Sequence, residues 1–213
     1  MSEKREFPRR KTGERNPKLI IIAAEGTKTE KSYFENLAIA YENKKTHVEV
    51  IDRLENQSDP QHILKQLNHF KSFYKLRKDD ELWLVIDVDR WRDAILADIA
   101  RQCIQKVIKL AVSNPCFEIW MLLHHRGLDD YSIDEIQEFR LNRKDGTNRT
   151  RLERELIKIL NRYNKTDPHP DDFIPHVDVA IKRSRAIDIN QNERWPSDIG
   201  TRVYLLAMSI IQK

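Results

Sequence analysis

Between residues 19 and about 125, short β-branched apolar runs alternate with segments of helical periodicity, and few folds accept that pattern. Leu19-Ile20-Ile21-Ile22-Ala23-Ala24 is too short for a typical helix and apolar at every position, so it reads as a parallel strand buried on both faces. Glu25-Gly26 ends it. Thr27 with Glu30 three residues later forms a capping box, and the helix it opens carries Tyr33, Phe34, Leu37, Ala38 and Tyr41 on one face. A second strand is expected over 48–51. Ser58-Asp59-Pro60 starts the next helix, with Pro60 at its first position and Ile63, Leu64, Leu67, Phe70 and Tyr74 along its stripe. The clearest strand, 81–86, runs into Asp87-Val88-Asp89. A helix over 92–103, a strand near 108–112 and a helix opened by Ser113-Asn114-Pro115 complete the series. The expected class is α/β, a mostly parallel sheet flanked by helices over residues 18–125.

Beyond residue 125 the patterning is helical. Leu152, Leu156, Ile159, Leu160 and Tyr163 share one face, and 176–188 and 199–212 give two more helices around a polar turn at Trp195-Pro196. Residues 126–213 therefore form a mainly helical C-terminal part packed on the core, and residues 1–17 a flexible basic arm. Hydrophobic residues at 39% allow a core, while 34% charged residues imply a heavily charged surface. A net charge of +4 suits a polyanionic partner without demanding one. The charge gathers in two blocks, Lys4 to Lys18 and Arg140 to Arg154, although a charge run alone is more often a solvated face. No apolar run approaches the roughly 18 residues that span a bilayer, and the N-terminal stretch has no apolar region of a secretory signal. Cys103 and Cys116 form neither a metal spacing nor a disulfide framework. A reducing cytoplasm and no membrane partner are expected.

Ligands of open parallel sheets bind outside the carboxyl ends of the strands. Three acids fall there: Glu25 after the first strand, and Asp87 and Asp89 after the central one. An Asp-x-Asp on extended backbone puts both carboxylates on one side. With Glu25 from a neighbouring strand they would share magnesium, which takes hard oxygen ligands and leaves positions for water and phosphate. A lone Asp-x-Asp is usually a solvated loop feature, but crowding ionised carboxylates is costly without a cation. Glu25-Gly26-Thr27-Lys28-Thr29 lacks the spacing of a phosphate loop, and no dinucleotide fingerprint is present. His124 and His125, being adjacent on a helix, point apart and are expected to pack or lie at the surface.

Ile20 to Phe34 resembles the opening motif of RloB-like proteins, as does Trp83-Leu84-Val85-Ile86-Asp87-Val88-Asp89-Arg90. Ser113-Asn114-Pro115-Cys116-Phe117-Glu118-Ile119-Trp120 is the most distinctive likeness, and Trp195 to Tyr204 resembles the family's closing segment. The resemblance implies a Toprim-like (Rossmann-like) catalytic core, as in topoisomerase–primase domains and overcoming-lysogenisation-defect nucleases. It also implies a role in prokaryotic anti-phage defence, by abortive infection, beside an AAA- or ABC-type ATPase. On this sequence it makes Glu25 the general acid or base and Asp87 and Asp89 the metal ligands. Glu118 admits two readings, a further metal-site carboxylate or an acid placed at a helix N-terminus by the macrodipole. Lys28 and Arg90 are placed to meet phosphate oxygens. Arg143, Lys144 and Arg149 in the second basic block, with Lys165 and Arg185 as weaker candidates, would contact nucleic acid. Asn114, Pro115, Phe117 and Trp120 are expected to shape the helix start and core.

The expected function is magnesium-dependent, or manganese-dependent, hydrolysis of phosphodiester bonds in RNA (tRNA among them) or DNA. Two other readings stay open: a non-catalytic nucleic-acid-binding or adaptor subunit of an ATPase complex, and a nucleotidyl transferase on the same site.

Overall fold

A computed structural model of the chain describes residues 17–26, 28–41, 46–52, 59–89 and 91–212. Strands β1 (Lys18–Ala24), β2 (Thr46–Val50), β3 (Glu81–Asp87), β4 (Lys109–Asn114) and β5 (Gly200–Thr201) form a single sheet in the order β2-β1-β3-β4-β5. The first four are parallel, and β5 runs antiparallel along the end of β4. After β1 the chain pairs β2 on one side and then β3 on the other. The connections therefore part at the carboxyl ends of β1 and β3, the switch point at which open α/β sheets bind ligands.

Both faces of the sheet are covered, which is why β1 and β3 are apolar at nearly every position. Leu19, Ile21, Ala23, Leu82, Leu84 and Ile86 pack under α2 (Pro60–Phe73) and α3 (Asp93–Lys106) through Ile63, Leu64, Leu67, Leu96 and Ile99. Ile20, Ile22, Ala24, Trp83 and Val85 face the other way, against Tyr33, Phe34 and Leu37 of α1 (Thr29–Ala40) and the C-terminal helices. Each of the leucines, isoleucines, Val85 and Phe34 contributes about 1.5–3 kcal/mol on burial. A carboxylate at either parity, as in Ile22→Asp, would be buried unpaired.

The C-terminal helices are α4 (Glu118–Leu123), α5 (Ile133–Leu141), α6 (Arg151–Leu160), the short α7 (Pro170–Phe173), α8 (Val177–Ile187) and α9 (Val203–Ile211). Every residue of α4 is buried, and it packs on α6 and α8. Helix α6 starts on a capping box, Thr150 Oγ accepting from Glu153 N while Glu153 Oε2 accepts from Thr150 N at 2.9 Å. Arg202, buried, donates to Asp188 Oδ2 (3.1 Å), and the Tyr204 hydroxyl donates to the same oxygen (2.9 Å). This network ties the end of α8 to β5 and α9. The closing motif around Trp195 to Tyr204 is thus a structural clamp in large part.

Two local expectations change. Ser113-Asn114-Pro115 does not open a helix. Strand β4 runs through Asn114, because Ser113 and Asn114 pair with Thr201 and Gly200, and α4 begins only at Glu118. The peptide between Asn114 and Pro115 is cis. The capping box at α1 has its first member, Thr27, outside the described residues; the N-cap is Lys28, with no side-chain cap, and Glu30 turns inward. At α2 the sequence reading holds, with Pro60 at N1 and Asp59 accepting from Gln61 N at 2.7 Å.

Candidate active site

Parallel pairing delivers two acids to one place. Residue 25 leaves β1 beside the end of β3, its N–H donating to Val85 O at 2.9 Å. The Glu25 side chain, 2% exposed, turns across the strand ends. Its Oε2 accepts from Trp91 Nε1 at 3.0 Å and from the Asp87 backbone N–H at 3.3 Å. Asp87 is the last residue of β3. Asp89 is not on the extended strand: it is exposed in the turn that follows, its N–H donating to Pro115 O at 3.0 Å. The two aspartates therefore do not share one strand face.

Two further acids close in from helix starts. Glu30, in the first turn of α1, is 7% exposed, and a side chain at Gly26 would run into its carboxylate. Glycine at that position lets the loop after β1 pass close to Glu30. Glu118, the first residue of α4, is 2% exposed, and Lys165 Nζ lies 2.6 Å from its Oε1. Lys165 also meets Glu153 Oε1 at 3.1 Å, and its carbonyl accepts the Thr29 hydroxyl hydrogen bond. Glu25, Glu30, Asp87 and Glu118, with Lys28 and Lys165, line a cavity of about 280 Å³ at the switch point.

Negative charge here exceeds what its neighbours balance. Burial, then the charges of Glu30, Glu118, Glu25 and Asp89, hold the Asp87 carboxyl well above its usual range. Glu30 is pushed up to about 7, by burial first and by Glu118 and Glu25, with its backbone hydrogen bond and Lys165 opposing. Burial, then the charges of Glu118, Asp87 and Asp89, raise the Cys116 thiol, whose sulfur accepts from Asn142 Nδ2 at 3.1 Å. Among the described residues, no three histidine, cysteine, aspartate or glutamate side chains are grouped so as to hold a metal ion. The donor set nevertheless suits magnesium, which is commonly held by one or two carboxylates with water and phosphate oxygens completing its shell. It does not suit a metal caged wholly by protein.

The predicted cations separate. Lys28 is exposed at the acidic cavity. Lys165 is the counter-charge of buried Glu118 rather than a bare surface charge. Arg149 is exposed and lines a second cavity together with Lys165. Arg143, Lys144 and Arg185 are exposed and line neither cavity. Arg90 lies outside the described residues, as does the arm before Pro17. Much of the second basic block is spent internally: Arg140 pairs with Asp198, Arg151 with Glu138 and Glu155, and Arg154 with Asp145. His124 is a packing residue. Its Nδ1–H donates to Trp120 O (2.9 Å), leaving Nε2 to accept from the Tyr33 hydroxyl (3.0 Å). Phe117 and Trp120 are core.

The profile of the RloB-like protein family matches residues 20–210, nearly the whole chain. The chain belongs to the RloB-like family. No curated protein and no solved structure gives a significant match to it. Three of the four stretches that resemble the family in sequence build this RloB-like site. The first brings Glu25 and Glu30, the second Asp87, and the third Glu118. Among the described residues no helix is long and apolar enough to cross a membrane. Glu30 is the cavity-lining acid that sequence reasoning did not single out, because its spacing from Thr27 fits a cap. The available signal was Gly26, which leaves room for an inward-facing acid one turn on.

Proposed function

We propose that this RloB-like chain is a metal-dependent nuclease that hydrolyses phosphodiester bonds in RNA or DNA. One observation supports the reading most. Acids from β1, β3 and the starts of α1 and α4 surround one cavity at the switch point, with their charge unbalanced. Of the three acids expected to hold magnesium, with manganese an alternative, Glu25 and Asp87 line the cavity and would bind the ion, water and phosphate oxygens completing its shell. Asp89 stands outside the lining and adds its charge nearby. When bound, such a cation supplies charge neutralisation at the phosphate oxygens. Glu25, its carboxylate fixed by Trp91 and the Asp87 N–H, is the residue assigned to move the proton of the attacking water. Lys28 and Lys165 offer ammonium donors to the phosphate. Arg149, and on the outer surface Arg143, Lys144 and Arg185, supply backbone contacts that weaken as salt rises.

By family resemblance the proposed role is an effector of prokaryotic anti-phage defence, working with an AAA- or ABC-type ATPase. A host RNA such as tRNA fits an abortive-infection effector, and DNA is equally compatible. The test is cleavage of end-labelled RNA and DNA in magnesium, manganese or EDTA, with and without the ATPase. Products that appear only with the cation, and vanish in Glu25→Gln, support the reading. Intact substrate under every condition, with the ATPase present, overturns it.

A further inference from the structure

A second cavity, of about 360 Å³, adjoins the acidic one, and Lys165 lines both. Its other walls are Arg149, Glu153, Ile157, Tyr163 and Asn164. Its polar groups offer donors and few acceptors. The Glu153 carboxylate is already engaged, Oε1 by Lys165 and Oε2 by the Thr150 N–H. Asn164 Oδ1 accepts from the backbone N–H (3.0 Å) and hydroxyl (2.9 Å) of Thr166, which leaves the amide NH2 as a donor. The Arg149 side chain is exposed and makes no ion pair among the described residues. Tyr163 is 9% exposed, and its hydroxyl is shut away from water with no hydrogen-bond partner, a state rare for buried hydroxyls. Ile157 and the Tyr163 ring supply apolar surface.

We propose that this cavity is a nucleotide subsite, taking one unstacked nucleotide of a single-stranded substrate next to the phosphate held in the acidic cavity. Donors facing an acceptor-rich anion, beside an aromatic and an aliphatic wall, match a phosphate joined to a base. The volume admits a single nucleotide. A paired and stacked base in a duplex cannot enter it. The choice of ligand rests on the nuclease reading, so its test measures binding apart from cleavage.

Fluorescent six-nucleotide RNA and DNA single strands, and duplexes of the same sequence, are titrated into the full chain in EDTA. Single strands bind at least about tenfold more tightly than duplex, the worth of one well-stacked base. Ile157→Trp, which fills the cavity, weakens single-strand binding by about tenfold or more. Arg149→Ala weakens single-strand binding several-fold, and by more than it weakens duplex binding, while the melting temperature of the free protein stays unchanged because the Arg149 side chain is exposed. A merely structural side chain would not lower single-strand affinity while leaving the melting temperature unmoved. Equal affinity for single strand and duplex overturns the proposal, as does wild-type affinity in both variants. If binding is variant-sensitive but magnesium produces no cleavage, the subsite stands and the nuclease reading fails. If cleavage occurs and binding ignores both variants, the reverse holds.

Discussion

Strand β3 carries a carboxylate at each end, and the two ends treat it in opposite ways. Glu81, at the start, accepts from Lys109 Nζ (2.6 Å), Lys18 Nζ (2.8 Å), Trp83 Nε1 (2.8 Å) and Ser209 Oγ (2.5 Å). Burial opposes its ionisation, but these bonds together outweigh burial and take it down to about 2. Asp87, at the other end, faces Glu30, Glu118, Glu25 and Asp89 and is driven upward. One end is a finished structural joint whose charges balance. The other gathers more negative charge than the chain neutralises, which is how a site built around something outside the protein differs from one built for stability.

Substitution at the two ends gives the largest expected contrast. Asp87→Asn and Glu25→Gln are expected to lower the cleavage rate by about 10²–10⁴-fold, with the melting temperature unchanged or raised because repulsion is relieved. Glu81→Gln is expected to do the opposite. It loses roughly 1–3 kcal/mol of stability, as its ammonium partners lose a charged acceptor, while the folded protein cleaves at the wild-type rate. Chemical denaturation and a cleavage assay on the same preparations decide it. If Glu81→Gln lost as much activity as Asp87→Asn while still folded, the contrast between the ends would collapse.

Lys165→Met sharpens the same comparison at the acidic end, because Lys165 is the cation that the chain itself supplies there. Removing it strands Glu118 at 2% exposure. The Lys165 side chain is 45% exposed, so the cost falls below that of breaking a fully buried pair, on the order of 1–2 kcal/mol. Magnesium is expected to raise the melting temperature more in Lys165→Met than in wild type, since binding to the folded state adds stability. Equal shifts in both proteins would mean that the cation does not meet Glu118.

The ends also differ in how much of them was legible in the sequence. The sheet could be read because burying both faces of β1 and β3 forces unbroken apolar runs, and Glu25 and Asp87 could be read because strand ends are where such runs stop. Glu118 could be placed beside them only through the family likeness. Glu30 was read as a cap because its spacing from Thr27 fits one. Lys165 lies 47 positions beyond Glu118 in sequence, on a segment with no periodic pattern, so the pair exists only once α4 and α6 pack together. Strand β5 has two residues, too few for any alternation to register. Glu81 looked like the polar first residue of a strand. Its partners Lys18, Lys109 and Ser209 come from β1, β4 and α9, and no local spacing announces them.

The smallest expected effect is the pH dependence, and it tests the balanced end together with the core. Glu81 has a folded value near 2, below its ordinary 4.5, so the folded state resists protonation. Its contribution is present above about pH 4.5 and is lost as pH falls towards 2. His124 is held near 3, far below 6.5, chiefly by burial and despite its bond to the Trp120 carbonyl. The unfolded histidine charges first, so its contribution is complete above 6.5 and drains away as pH falls from 6.5 to 3. The melting temperature should therefore decline in acid along two overlapping limbs. Glu81→Gln is expected to flatten the lower limb and leave the upper one, and His124→Gln the converse, at some fixed loss of stability in each case. Melting curves from pH 7 to pH 2.5 separate them. A wild-type slope in both variants would place the acid sensitivity elsewhere, though not at Glu30 or Asp87, whose raised values make protonation favour the folded state and so oppose the decline.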